Sequence, residues 1–138
     1  GIFIMEIEKN SQELMMKASM IQQKAEQIQQ QLQSVEQSMQ DISIISKGLD
    51  DLIGSEGKEI KASIGKGIFI DAKLMSEELT VDIGNRNFVR KSIPETKKLI
   101  ENQMKKLENV RDDLNKELDK INSELIAMIT EVEEGKKV

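Results

Sequence analysis

The chain has 138 residues, a net charge of −5, 33% charged residues and only 2% aromatics, with three Phe and no Trp or Tyr. It contains no Cys and no His, which removes disulfides, thiolate nucleophiles, imidazole bases and most transition-metal sites together. The acidic balance disfavours nucleic acid as a partner, and no apolar run reaches the roughly 18–20 residues of a membrane span.

A compact core leans on large rings. This chain must lean on Ile, Leu, Val and Met, which suits a thin, elongated seam. Gly1 to Met5 is apolar but too short, and without the flanks, to be a secretory signal. The missing Cys is compatible with a cytosolic compartment.

The first predicted element is a long helical arm, with its terminating loop covering 1–57. From Leu14 the apolar residues fall at Leu14, Ala18, Ile21, Ala25, Ile28, Leu32, Val35, Met39 and Ile42. Steps of four and three alternate, which is the 3.5-residue repeat that holds one stripe against a partner helix. Ser46 interrupts the stripe, Leu49 and Ile53 continue it, and Ile4 and Ile7 are in phase before it. From Leu14 to Ile53 such a helix spans roughly 60 Å. Gln residues crowd the off-stripe positions. Gln forms helices well, so the tract reads as a solvated face. Gly48, Gly54 and Gly57 mark the end of the arm.

Residues 58–91 alternate with period two. The pattern predicts strands over 58–64, 68–74, 79–84 and 88–91, with turns at Gly65-Lys66-Gly67 and Asn85-Arg86-Asn87. That makes two hairpins in succession. On a common register, Ile60, Ala62, Ile64, Ile68, Ile70, Ala72, Leu74, Leu79, Val81 and Ile83 share a face. Four short strands cannot cover it, and their edges are open. Association with other subunits through Ile64, Ile68, Ile70, Leu74, Leu79, Val81, Ile83 and Phe88 is therefore expected on physical grounds alone. Gly65-Lys66-Gly67 lacks the spacing and following helix of a phosphate loop. Asp50, Asp51, Glu77 and Glu78 have no calcium-loop signature and no His beside them, so they read as solvated turn and helix-end residues.

The last element, 92–138, is a second helical arm. Ser92 can cap it, Glu95 sits three residues on, and Pro94 is tolerated in the first turn. Its stripe reads Ile100, Gln103, Leu107, Val110, Leu114, Leu118, Ile121, Leu125, Met128 and Val132. Two consecutive steps of four, Val110 to Leu114 to Leu118, read as a stutter. The stripes of the two arms are similar in length. Antiparallel pairing within one chain sets Leu14 near Val132 and both termini at the tip away from the strands. A parallel homodimer is the competing arrangement. The expected fold is thus α+β: a long antiparallel α-helical coiled coil with two β-hairpins at the turn, assembling with other subunits.

Helix, two hairpins, helix is the order of the α-class prefoldin subunit, which this chain resembles; the β-class has one hairpin. The local resemblance lies in Ile64 to Ile70 and in Val81 to Ser92. The family often has a second Gly where Asn87 stands, and an acid where Arg90 stands. The architectural likeness covers nearly the whole chain, the distinctive motif about 30 residues. The chain also looks archaeal in type. The resemblance implies a cytoplasmic holdase that needs no ATP and no cofactor. Two α-class and four β-class subunits would join by their hairpins into a β-barrel body. Coiled-coil tips would hold unfolded polypeptides and deliver them to a group II chaperonin. Off-stripe apolar residues near the tip would carry that contact: Ile2, Phe3, Met5, Met15, Met16 and Met20 on the first arm, Ile126 and Ile129 on the second. Flexible Met side chains adapt to many apolar sequences. The alternative function is a structural coiled-coil scaffold or spacer forming dimers or filaments. No constellation supports an enzyme.

Overall fold

In a computed structural model the chain is described over residues 1–136, in the order α1 (Ile2–Leu52), β1 (Glu59–Gly65), β2 (Ile68–Lys73), β3 (Leu79–Asp82), β4 (Phe88–Lys91) and α2 (Ile93–Lys136). The last two residues of the expected second arm, Lys137 and Val138, lie outside the described residues. The chain divides into two compact units: residues 1–37 with 107–136, and Ser38–Lys106.

In the first unit the helices pair antiparallel, because low numbers on α1 meet high numbers on α2. Lys24 Nζ lies 3.9 Å from Glu117 Oε1, and Leu14 and Ala18 share a groove with Met128 and Val132. The α1 stripe from Leu14 to Val35 is withdrawn from solvent at every expected position. Its deepest point is Ile28, 4% exposed, matched on α2 by Ile121, also 4%. Ile4 and Ile7 are in phase but exposed. The register that brings Leu14 to Val132 offers them no described partner on α2.

The expected stutter in α2 is absent. Withdrawn positions run Ile100, Met104, Leu107, Arg111, Leu114, Leu118, Ile121, Leu125, Met128 and Val132, so four and three alternate throughout. Met104 replaces Gln103 and Arg111 replaces Val110. Arg111 lays its aliphatic stem along the seam and turns its head outward, where Nε meets Asp112 Oδ1 at 3.5 Å. Val110 and Gln103 stay exposed.

The second unit has the tightest core. Ile93, 2% exposed, clusters with Leu49 and Ile100, and Ile42, Leu52 and Leu79 pack against them. Lys97 donates to Asp50 beside it. Here α1 ends one residue before the expected stripe does. Ile53 is exposed and Leu52 packs on the core in its place. Gly54 takes φ +76°, a left-handed conformation that stops the helix. Its amide donates to the Glu77 carboxylate, which ties the end of α1 to the link between the hairpins.

The start of α2 follows its sequence signal. The Glu95 amide donates to Ser92 Oγ at 3.2 Å, and the Ser92 hydroxyl donates to the Glu95 carboxylate at 3.0 Å. Ser92→Ala leaves that amide without its partner and should cost about 1 kcal/mol. The check is a lower urea midpoint at unchanged slope.

The strands form two separate two-stranded antiparallel sheets, β1–β2 and β3–β4; no ladder joins them into the single surface assumed from the sequence. In the first, Glu59 pairs with Lys73, Ile60 with Ala72, Ala62 with Ile70 and Ser63 with Phe69, with a bulge between Ser63 and Gly65. In the second, Leu79 pairs with Lys91 and Val81 with Val89. There the turn places Asn85 and Arg86 at φ +51° and +62°, and the Asn87 amide returns to the Gly84 carbonyl at 2.9 Å. Positive φ at both central residues matches the right-handed twist of the flanking strands.

Candidate functional site

Two apolar surfaces stand open, one in each unit. In the second unit the residues alternate so that Ile60, Ala62 and Ile64 on β1 share a face with Ile68, Ile70 and Ala72 on β2. The other face carries Glu59, Lys61, Ser63, Phe69, Asp71 and Lys73, with Lys61 Nζ 3.2 Å from Asp71 Oδ1. An ion pair on one side and only aliphatic carbon on the other is the pattern of a sheet with one wet face. Yet the turn end of the aliphatic face is bare: Ile64 is 63% exposed, Ile68 56% and Ile70 50%, while Ile60, Ala62 and Ala72 are half-buried.

Of the other residues expected at this surface, Leu74, Leu79 and Val81 are half-buried within the unit, Leu79 against the Ile93 cluster. Ile83 and Phe88 are exposed. Phe88 pairs with Asp82, on the face opposite Val81 and Val89. Phe69 and Met75, absent from the expected set, are exposed as well.

The first unit carries the other surface. Ile2, Phe3, Met5, Met15, Met16, Met20, Ile126 and Ile129 are all exposed, as are Ile4 and Ile7. Some of them are brought together and others are not. A shallow groove of about 380 Å³ is lined by Leu14, Met15 and Ala18 from α1 and Met128, Ile129 and Val132 from α2, with Ser11 and Glu133 at its rim. Met15 and Ile129 face each other across it, one residue past the seam positions Leu14 and Met128. Ile126 lies one turn from Ile129 on the same side of α2. Met16 and Met20 lie farther round α1, away from the groove. Six of the groove's eight lining residues are apolar, and four of those, Leu14, Ala18, Met128 and Val132, belong to the seam. The seam residues were legible as packing; their second use as the groove floor was not.

A larger cleft of about 730 Å³ opens in the second unit beside Ile83, Leu99 and the charged Asp82, Lys91, Glu95, Lys98 and Lys106. Mixed charges and an open mouth make it a solvated recess. Among the described residues no group of three or more acids, His or Cys could hold a metal ion. Among them, too, no helix is long and apolar enough to cross a membrane. What both sites offer is exposed apolar area.

Residues 21–135 match the model of the family described as Prefoldin subunit. Among solved structures, a chain from the cryo-EM structure of filamentous PFD from Methanocaldococcus jannaschii superposes with a TM-score of 0.73. The two are 18% identical over 83% of this chain and 96% of that one. No curated protein sequence matched the chain.

Proposed function

The chain belongs to the prefoldin family, and from that membership we propose that it is a cytoplasmic chaperone subunit which holds unfolded polypeptides without ATP or any cofactor. No catalytic step is involved. Ile2, Phe3, Met5, Met15, Met16, Met20, Ile126 and Ile129 make the client contacts, Met15 and Ile129 at the groove and Met16 and Met20 from farther round α1. The observation that carries this reading is the groove itself: two helices that bury their seam leave long aliphatic side chains open beside it. Exposed apolar area of this kind marks a binding surface. Single contacts are weak, so holding power comes from several subunits engaging one client.

In this reading the chain is an α-class subunit, which its two hairpins support. Two such chains would join four β-class subunits through the bare faces of their sheets, forming a barrel-like body, and hand clients to a group II chaperonin. A second reading has one observation in its favour. The matched solved chain is from a filamentous assembly, and a scaffold that polymerises through the same faces would also need them bare. The mass of the species formed alone, and with co-expressed β-class partners, separates the two.

The test of the client site is suppression of aggregation of a denatured protein by the assembled complex, without nucleotide. Deleting 1–16 and 126–138 should abolish protection and leave assembly intact. Because the deletion also trims the seam, Met15→Ser with Ile129→Ser is the milder companion, expected to lose at least about half of the protection. Equal protection by both variants would remove the client role from these residues.

A further inference from the structure

The readily oxidised side chains of this protein are of one kind. It has no Cys, His, Trp or Tyr, so its eight Met thioethers are what a peroxide attacks. The fold divides them into two sets. Met39, Met104 and Met128 lie on the seam stripes and are half-buried. Met5, Met15, Met16, Met20 and Met75 are open, each between 67% and 80% exposed. Four of those five fall within residues 1–20, on the arm that carries most of the proposed client contacts. The groove holds one thioether of each set. Met15 and Met128 both line it, Met128 as a seam residue and Met15 as an open one. Its other apolar walls, Leu14, Ala18, Ile129 and Val132, are inert to peroxide.

The chemistry at Met15 is a two-electron oxidation. Its sulfur donates a lone pair to one oxygen of hydrogen peroxide, the O–O bond breaks and an S–O bond forms. The thioether is oxidised to a sulfoxide; the second peroxide oxygen is reduced and leaves as water with both protons. The polar S–O group holds water that an apolar segment must strip away before covering it. The adaptable apolar contact of a Met side chain is then lost from the α1 wall of the groove, while the seam beneath keeps its packing. We propose that Met15 is a sulfoxidation site, and that its oxidation by a peroxide lowers the affinity of the groove for unfolded apolar segments without unfolding the helices. The inference rests on the client-binding reading and adds a regulation to it. Methionine sulfoxide is reducible enzymatically, so the change can be reversed. Met16 and Met20 are as exposed as Met15 but lie farther round α1, so their oxidation costs the groove less.

In the test, the full chain is treated with hydrogen peroxide, freed of it with catalase, and assembled with untreated β-class partner subunits. Peptide mass spectrometry should find sulfoxide at Met15 and the other open positions before Met39, Met104 or Met128. Helical circular dichroism and the mass of the complex should not change. A fluorescein-labelled peptide with a Leu- and Phe-rich centre should bind the oxidised complex about fivefold more weakly than the untreated one. Each variant is compared with its own untreated form. Met15→Leu has no sulfur to oxidise there and should stay within about twofold of its untreated affinity. Met16→Leu with Met20→Leu should keep most of the loss. Sulfoxide at Met15 with undiminished binding would overturn the regulation and keep the client site. A loss that survives Met15→Leu would remove the effect from this residue, and a loss that comes with falling helicity would overturn the proposal as damage. An untreated complex that binds no peptide would overturn the client reading and this inference with it.

Discussion

Ile68→Glu with Ile70→Glu should leave the chain helical and remove it from its complex. Both side chains sit on the bare face of the first sheet, at least half exposed, and the pairing of Ile70 with Ala62 fixes that face. Covering one such side chain contributes about 1.5–3 kcal/mol. A carboxylate in the same dry contact must be stripped of water without a partner. Two substitutions should therefore weaken association more than about a hundredfold, seen as a loss of the high-mass species when the variant is co-expressed with β-class subunits. The helical signal should persist, because neither residue touches the Ile93 cluster. Lys61→Gln on the wet face is the control and should assemble normally. Normal assembly of the double Glu variant would mean that this face is not where subunits meet.

The largest effect on folding is expected at Ile93. It is the most buried apolar side chain described and the meeting point of Leu49, Ile100 and Leu79, so it joins the end of α1, the start of α2 and the second sheet. Ile93→Ala removes three carbons from a cluster too small to close over the gap. The expected cost is about 2–4 kcal/mol, read as a drop in the denaturation midpoint followed by circular dichroism. Ile45→Ala, half-exposed on α1, should move that midpoint by no more than about 0.5 kcal/mol. If the two variants unfold together, the unit is held by something other than this cluster.

Most of the fold was legible because the seam is made of residues that declare themselves. Ile, Leu, Val and Ala at alternating steps of four and three left little choice between Leu14 and Val35. The errors fall where that declaration fails. Arg111 reads as surface by its charge, while its stem packs in the seam; taking Val110 in its place created a stutter the helix does not have. Ile4 and Ile7 keep the period, but a period records only which face a residue is on, not whether anything lies opposite. The two hairpins were legible from alternation and turn residues, down to the last strand's bounds. That they stay separate sheets was not, because strand pairing between them depends on a link whose path the pattern does not encode. The groove could not be read at all from one helix: Met15 and Ile129 are 114 positions apart, and their meeting depends on the register between α1 and α2.

The separateness of the sheets has a consequence for counting. Each strand of β1–β2 and β3–β4 has one side committed to its partner and one side outside any ladder, so a single chain carries four unladdered strand edges on two sheets. A chain with free edges on two sheets can sit inside a chain of contacts, closing it into a ring when the angle between successive contacts returns to the start and extending it without limit when it does not. Ring and filament then differ in one geometric parameter, the turn from one hairpin to the next. The short link from Leu74 to Glu78, tied to α1 by Gly54 and Glu77, is the segment that sets it.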